Sequence, residues 1–87
     1  MILFLEKASA GGDYAYLTFK NTSNSFVEIT DYYIDQYKSV GVFLRIPPNA
    51  TETLGVQTHL LEKAKEYSVY VTIKGSHALE GPFKVQL

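Results

Sequence analysis

Between Tyr67 and Lys74 the chain alternates without a break: Tyr67, Val69, Val71 and Ile73 fall on one parity, Ser68, Tyr70, Thr72 and Lys74 on the other. An apolar period of two is the mark of a β-strand with one buried face, because successive side chains of an extended chain leave on opposite sides. The pattern recurs along the sequence. Ala15, Leu17 and Phe19 alternate with Tyr14, Tyr16, Thr18 and Lys20. Val40, Val42, Leu44 and Ile46 alternate with Gly41, Phe43 and Arg45, and Phe83, Val85 and Leu87 with Lys84 and Gln86. Short alternating runs separated by turn residues are what an all-β sandwich or barrel requires.

Turn chemistry sets the boundaries. Asn21-Thr22-Ser23-Asn24-Ser25 is a run of residues that bond their own backbone in turns, and Pro47-Pro48 stops the strand before it because proline gives a ladder no donor. Val27 and Ile29 point inward, and the phase shifts over Asp31-Tyr32-Tyr33-Ile34, which predicts a bulge near Asp31. The reading gives seven strands, at about 2–7, 13–20, 26–34, 40–46, 51–57, 66–74 and 82–87, in a single domain spanning 1–87. One stretch departs from it. Thr58 to Glu66 carries Leu60, Leu61 and Ala64 at helical spacing behind Thr58 as a cap, so a short helical turn is expected near 59–65.

Several chemistries are excluded. The chain has no Cys, which removes disulfides and thiolate metal sites. A formal charge of -1 lacks the basic excess of a nucleic-acid binder. No apolar run reaches the roughly 18 residues of a membrane span, and Met1 to Leu5 is too short for the core of a secretory signal, so no membrane insertion by this segment is expected. His59 and His77 stand in no metal-ligand spacing, and Ser76 beside His77 in a turn makes no nucleophile and base pair. Glu28, Asp31 and Asp35 read as turn-stabilising carboxylates rather than a calcium set. No catalytic residue, cofactor or metal site is expected.

Leu61 lies six residues before Tyr67, which opens the cleanest strand. This resembles the corner between the fifth and sixth strands of immunoglobulin-like and fibronectin type III domains. There a leucine closes the base of the core, and the tyrosine hydroxyl bonds back to the preceding connection. Ala64 and Lys65 replace the proline and glycine common in that turn, so a helical turn substitutes for the tight corner. The order of Tyr16-Leu17-Thr18-Phe19-Lys20-Asn21-Thr22-Ser23, Val27-Glu28-Ile29-Thr30-Asp31, Ile46-Pro47-Pro48-Asn49, Thr53-Leu54-Gly55-Val56 and Tyr67-Ser68-Val69 resembles, over residues 13–87, the immunoglobulin-like head domains of archaeal surface-filament subunits (pilins and archaellins) and related modules of secreted proteins. Those subunits also carry a long apolar N-terminal helix behind a processing site, which this sequence does not show. The resemblance implies an immunoglobulin-like sandwich of about seven antiparallel strands and an extracellular, non-enzymatic structural, adhesion or protein-interaction role.

If strands three, four, six and seven form one sheet, as in such a sandwich, its outer face carries Phe26, Phe43, Arg45 and Tyr70. Apolar patches of that kind mark contact sites. Tyr14 and Tyr16 point outward on the other sheet. Scattered exposed aromatics are also normal on any sheet. Ile2, Leu3, Phe4 and Leu5 are apolar on both parities, which fits either a strand that completes a neighbour's sheet or an ordinary first strand. Asn21 and Asn49 each open an Asn-X-Ser/Thr glycosylation pattern in an expected loop. The expected partner is therefore a protein, either a second copy or a cell-surface molecule, and no nucleic acid. Two alternatives stand beside it: a carbohydrate-binding or accessory module of a secreted enzyme, and an intracellular or viral interaction protein.

Overall fold

The computed structural model describes residues 2–11, 13–34, 37–38, 41–57, 66–76 and 79–86. They form β1 (Leu3–Gly11), β2 (Tyr14–Asn21), β3 (Val27–Ile34), β4 (Tyr37–Lys38), β5 (Leu44–Ile46), β6 (Thr51–Gln57), β7 (Glu66–Ile73) and β8 (Leu79–Gln86), with no helix among the described residues. All pairings are antiparallel. β1, β2 and β6 make a three-stranded sheet in that order, and β4, β3, β7 and β8 follow one another in the second, with β5 also paired to β3. The all-β reading holds: the chain is a two-sheet β-sandwich.

The alternation read from the sequence is the alternation of burial. Ala15, Leu17, Phe19, Leu54 and Val56 from one sheet meet Val27, Ile29, Tyr32, Ile34, Ile46, Tyr67, Val69, Val71, Phe83 and Val85 from the other in one buried cluster, which Leu3 completes. At its centre the rings of Phe19 and Phe83 meet edge to face with centroids 4.9 Å apart, a geometry that adds to the area term. Each large side chain fully removed from water contributes roughly 1.5–3 kcal/mol, so this cluster is the main source of stability.

The expected bulge is present, since the register of β3 against β7 shifts between Ile29 and Asp31. It lets Ile29 and Tyr32 both face the core although they differ in parity. It also explains a correction. Of the expected strand over 40–46, the described residues form only β5, while the two-residue β4 pairs with β3 beyond the bulge. Beside the bulge Val42 N–H still donates to Thr30 O at 2.9 Å, but an unpaired extra residue breaks the ladder. The last strand starts earlier than expected. Leu79 and Glu80 pair with Thr72 and Val71 before an irregularity at Gly81 and Pro82. Gly81 has φ 132° and joins Pro82 through a cis bond; a Cβ at this position would lie 2.8 Å from Val69 O, so the strand can pass there only with glycine.

Two of the crossings between sheets meet at one residue. Asn21 is fully buried. Its Nδ2 donates to Ser25 O (2.7 Å), Ile46 O (3.0 Å) and Pro47 O (3.2 Å), while its Oδ1 accepts from Ser23 N–H (2.9 Å) and Ser23 Oγ (2.7 Å). Its backbone N–H donates to Ala50 O at 2.9 Å. One side chain thus binds the β2–β3 crossing to the β5–β6 crossing. At the other end of the three-stranded sheet Tyr32, rooted in β3, accepts from Gln57 N–H at 3.4 Å. The expected helical turn near 59–65 and Leu61 lie outside the described residues.

Candidate functional site

The outer face of the larger sheet carries the candidate contact residues next to β5. Phe26, just ahead of β3, is 53% exposed, and Phe43, just ahead of β5, is 72% exposed. Register places Arg45 opposite Glu28, and the Arg45 guanidinium stacks on the Phe26 ring at 4.0 Å from its centroid. Glu28 Oε1 lies 3.8 Å from Arg45 Nε and Glu28 Oε2 lies 3.6 Å from Lys74 Nζ. Pairs this exposed add little stability, but they fix the direction of the arginine. A shallow depression runs beside them between Phe26, Glu28, Ile73 and Lys74. Tyr70 alternates with buried Val69 and Val71, stands opposite Tyr33 and packs against Gly81. It shares the face but belongs to a separate, half-buried pair. Tyr33 is the outward ring that sequence reading missed, because the bulge reverses its parity.

Tyr14 and Tyr16 lie on the outer face of the three-stranded sheet, so the candidate aromatics divide between two sides of the molecule. Their rings stand 6.3 Å apart and tilted 30°. Gly55 and Gly11 on the flanking strands leave room for them; a Cβ on Gly11 would come within 3.4 Å of the Tyr16 ring. Ser9 stands opposite Tyr16 and Gln57 opposite Tyr14. Thr18 and Thr53 share a hydroxyl hydrogen bond of 3.1 Å alongside.

Of the two expected places for Ile2, Leu3, Phe4 and Leu5, the segment takes that of an ordinary first strand. β1 pairs with β2, Leu3 sits in the core with Leu5 packed against it, and only Ile2 and Phe4 face outward. Ile2 N–H donates to Glu80 Oε1 at 2.7 Å, and Ile2 O accepts from Thr22 Oγ1 at 2.8 Å, which ties down the start of the strand. The alternation that looked apolar on both faces is an inward pair and an outward pair. The loop reading of Asn21 is corrected. The nitrogen that glycosylation would modify is buried against three carbonyl oxygens, whereas Asn49, exposed in its turn with φ 58°, stays on the surface. An Asn in a turn sequence reads as solvent-facing; only the second crossing, brought in from 25 residues away, shows otherwise.

Tyr67 is buried at the start of β7, and its corner partner Leu61, like His59, His77 and Asp35, lies outside the described residues. Among the described residues no three His, Asp or Glu side chains gather where they would hold a metal ion, and no helix is long and apolar enough to cross a membrane. Comparison with protein-family models, with curated proteins and with solved structures returns no match to this chain.

Proposed function

We propose that the chain is a non-enzymatic module that works by contact with another protein, displayed outside the cell in the manner of the filament head domains it resembles. The observation that carries this reading is the Arg45 guanidinium held over the exposed Phe26 ring, with a second exposed ring, Phe43, two residues before Arg45. Aromatic residues and arginine are the types most enriched at the centres of protein interfaces. An open sheet face with only a shallow depression on it supplies area, which suits a protein surface better than a small molecule. The strand grouping supports the immunoglobulin-like part of the reading. β1, β2 and β6 stand together and β3, β7 and β8 stand together, as the A, B, E and C, F, G strands do in that sandwich.

The test places a photo-crosslinking benzoylphenylalanine at position 43 of the full chain in the cells that make it. A discrete protein adduct is expected from position 43 and none from the same group at Lys84, exposed on the opposite edge strand. Equal adducts from both positions, or none from 43, contradict the proposal. A second reading, glycan stacking, rests on the Tyr14 and Tyr16 pair, two rings of similar tilt with hydroxyl and amide neighbours. Retention on immobilised polysaccharide that disappears in Tyr16→Ala and persists in Phe43→Ser would favour it.

A further inference from the structure

Among the described residues the sandwich has four strand edges, and three of them are spoiled for pairing. β1 carries a register break between Leu5 and Lys7, with Glu6 at the break, and its first residues are capped by Glu80 Oε1, which accepts from Ile2 and Leu3 N–H at 2.7 and 3.4 Å. β8 has Gly81 with positive φ followed by proline, and a break in its register against β7. The edge made by β4 and β5 is interrupted between two short pieces. Bulges, charges, prolines and short strands are the devices by which natural sheets prevent edge-to-edge association. Over Thr51–Gln57, β6 lacks bulge and proline: its register against β2 runs unbroken, and its one charge is Glu52.

Which of its backbone groups face outward follows from one hydrogen bond. Asn21 N–H donates to Ala50 O, so Ala50 turns toward β2. In an antiparallel ladder the residues that exchange bonds recur every second position. Glu52, Leu54 and Val56 therefore bond β2, and Thr51, Thr53, Gly55 and Gln57 turn their N–H and C=O groups away from it. The Gln57 N–H, found donating to the Tyr32 hydroxyl of the other sheet, agrees. With that donor taken, Thr51, Thr53 and Gly55 remain as the outward-facing residues of the edge.

We infer that this edge is a self-association site, at which β6 pairs antiparallel with β6 of a second copy to join two three-stranded sheets into one of six strands. Three outward residues at alternate positions are symmetric about the middle one, and a two-fold axis at Thr53 satisfies all of them, setting Thr51 against Gly55 of the other copy and Thr53 against Thr53. Such an interface is isologous and closes at two subunits. The register sets Glu52 opposite Leu54, so the single charge of the edge does not face itself, and the smallest side chain of the strand receives Thr51. The pairing involves β6 backbone, and not the Phe26 and Phe43 face of the other sheet, so either proposal can fail without the other.

Sedimentation equilibrium of the full chain, up to about 1 mM, reads the association directly. A reversible dimer is expected. Amide exchange at Thr51, Thr53 and Gly55 should slow with rising concentration, while Leu54 is unaffected. Thr53→Pro deletes an outward donor, at a place where an edge strand tolerates proline, together with the exposed hydroxyl bond to Thr18 inside its own sheet, and should weaken the dimer by about tenfold or more. Thr53→Lys keeps the donor but sets two ammonium groups face to face on the axis; it should have the same effect, and it decides the matter if the proline variant does not fold. A chain that stays monomeric throughout, or a dimer that survives Thr53→Lys unchanged, overturns the inference. Protection of these amides that requires a different protein overturns it too, in favour of strand addition by that partner.

Discussion

Asn21 shows how much one polar side chain can hold when it is buried with its whole capacity used. Its amide nitrogen faces three carbonyl oxygens and its oxygen faces two donors, so removing it strands the buried Ile46 O and unties four part-buried groups with it. A stranded buried group costs about 1–3 kcal/mol, and Asn21→Ala should cost at least 2 kcal/mol of unfolding free energy (~2–4) in urea titration. Asn21→Asp should be worse, because a carboxylate presents only lone pairs to those carbonyls. A loss below about 0.5 kcal/mol for Asn21→Ala, the range of ordinary surface changes, would contradict the assignment. Two glycines provide a sharper contrast. Gly75 has φ 85° with open space around it, while Gly81 has φ 132°, and a Cβ added there would meet Val69 O at 2.8 Å. Alanine should cost about 1 kcal/mol at the first and clearly more at the second, where strain and collision add. Equal melting temperatures for the two variants would mean that β8 does not pass Gly81 as described.

At the level of the strand, phase was legible and length was not. Leu17, Phe19, Val69 and Val71 are buried because they share a parity, and parity is written locally in the sequence. The bulge near Asp31 was also legible, since a phase shift has no other use in a paired strand. The failure over 40–46 came from outside that segment. Val42 and Leu44 do pack against the core, but whether their backbone joins a ladder depends on β3, whose bulge sits opposite. Asn21 was misread for the same kind of reason, because its partners Ile46 and Pro47 come from a later crossing. Candidate contact residues were legible where alternation alone decides exposure, as at Phe43, and incompletely at Tyr70, whose neighbour Tyr33 follows the reversed phase. Tyr67 belongs to this scale too, as the first buried residue of β7. Tyr67→Phe removes only a hydroxyl and should cost about 1 kcal/mol; an unchanged melting curve would remove the corner reading.

The molecule as a whole sorts its rings by task. Phe19, Phe83, Tyr32 and Tyr67 are buried, two of them in direct ring contact, and the fold depends on them. Phe26 and Phe43 stand outside on the larger sheet, Tyr14 and Tyr16 outside on the smaller. Among the described residues these outer rings stay exposed, Phe26 beneath the Arg45 guanidinium, so they offer apolar area for contact. The most direct measurement is equilibrium urea unfolding of the double variant Phe26→Ser, Phe43→Ser. If the outer rings serve contact, its stability should fall by no more than about 1.5 kcal/mol, the loss of one exposed arginine–ring stack and two surface changes. A fall of about 3 kcal/mol or more, the cost of emptying a core position, would place these rings inside the fold and contradict the account.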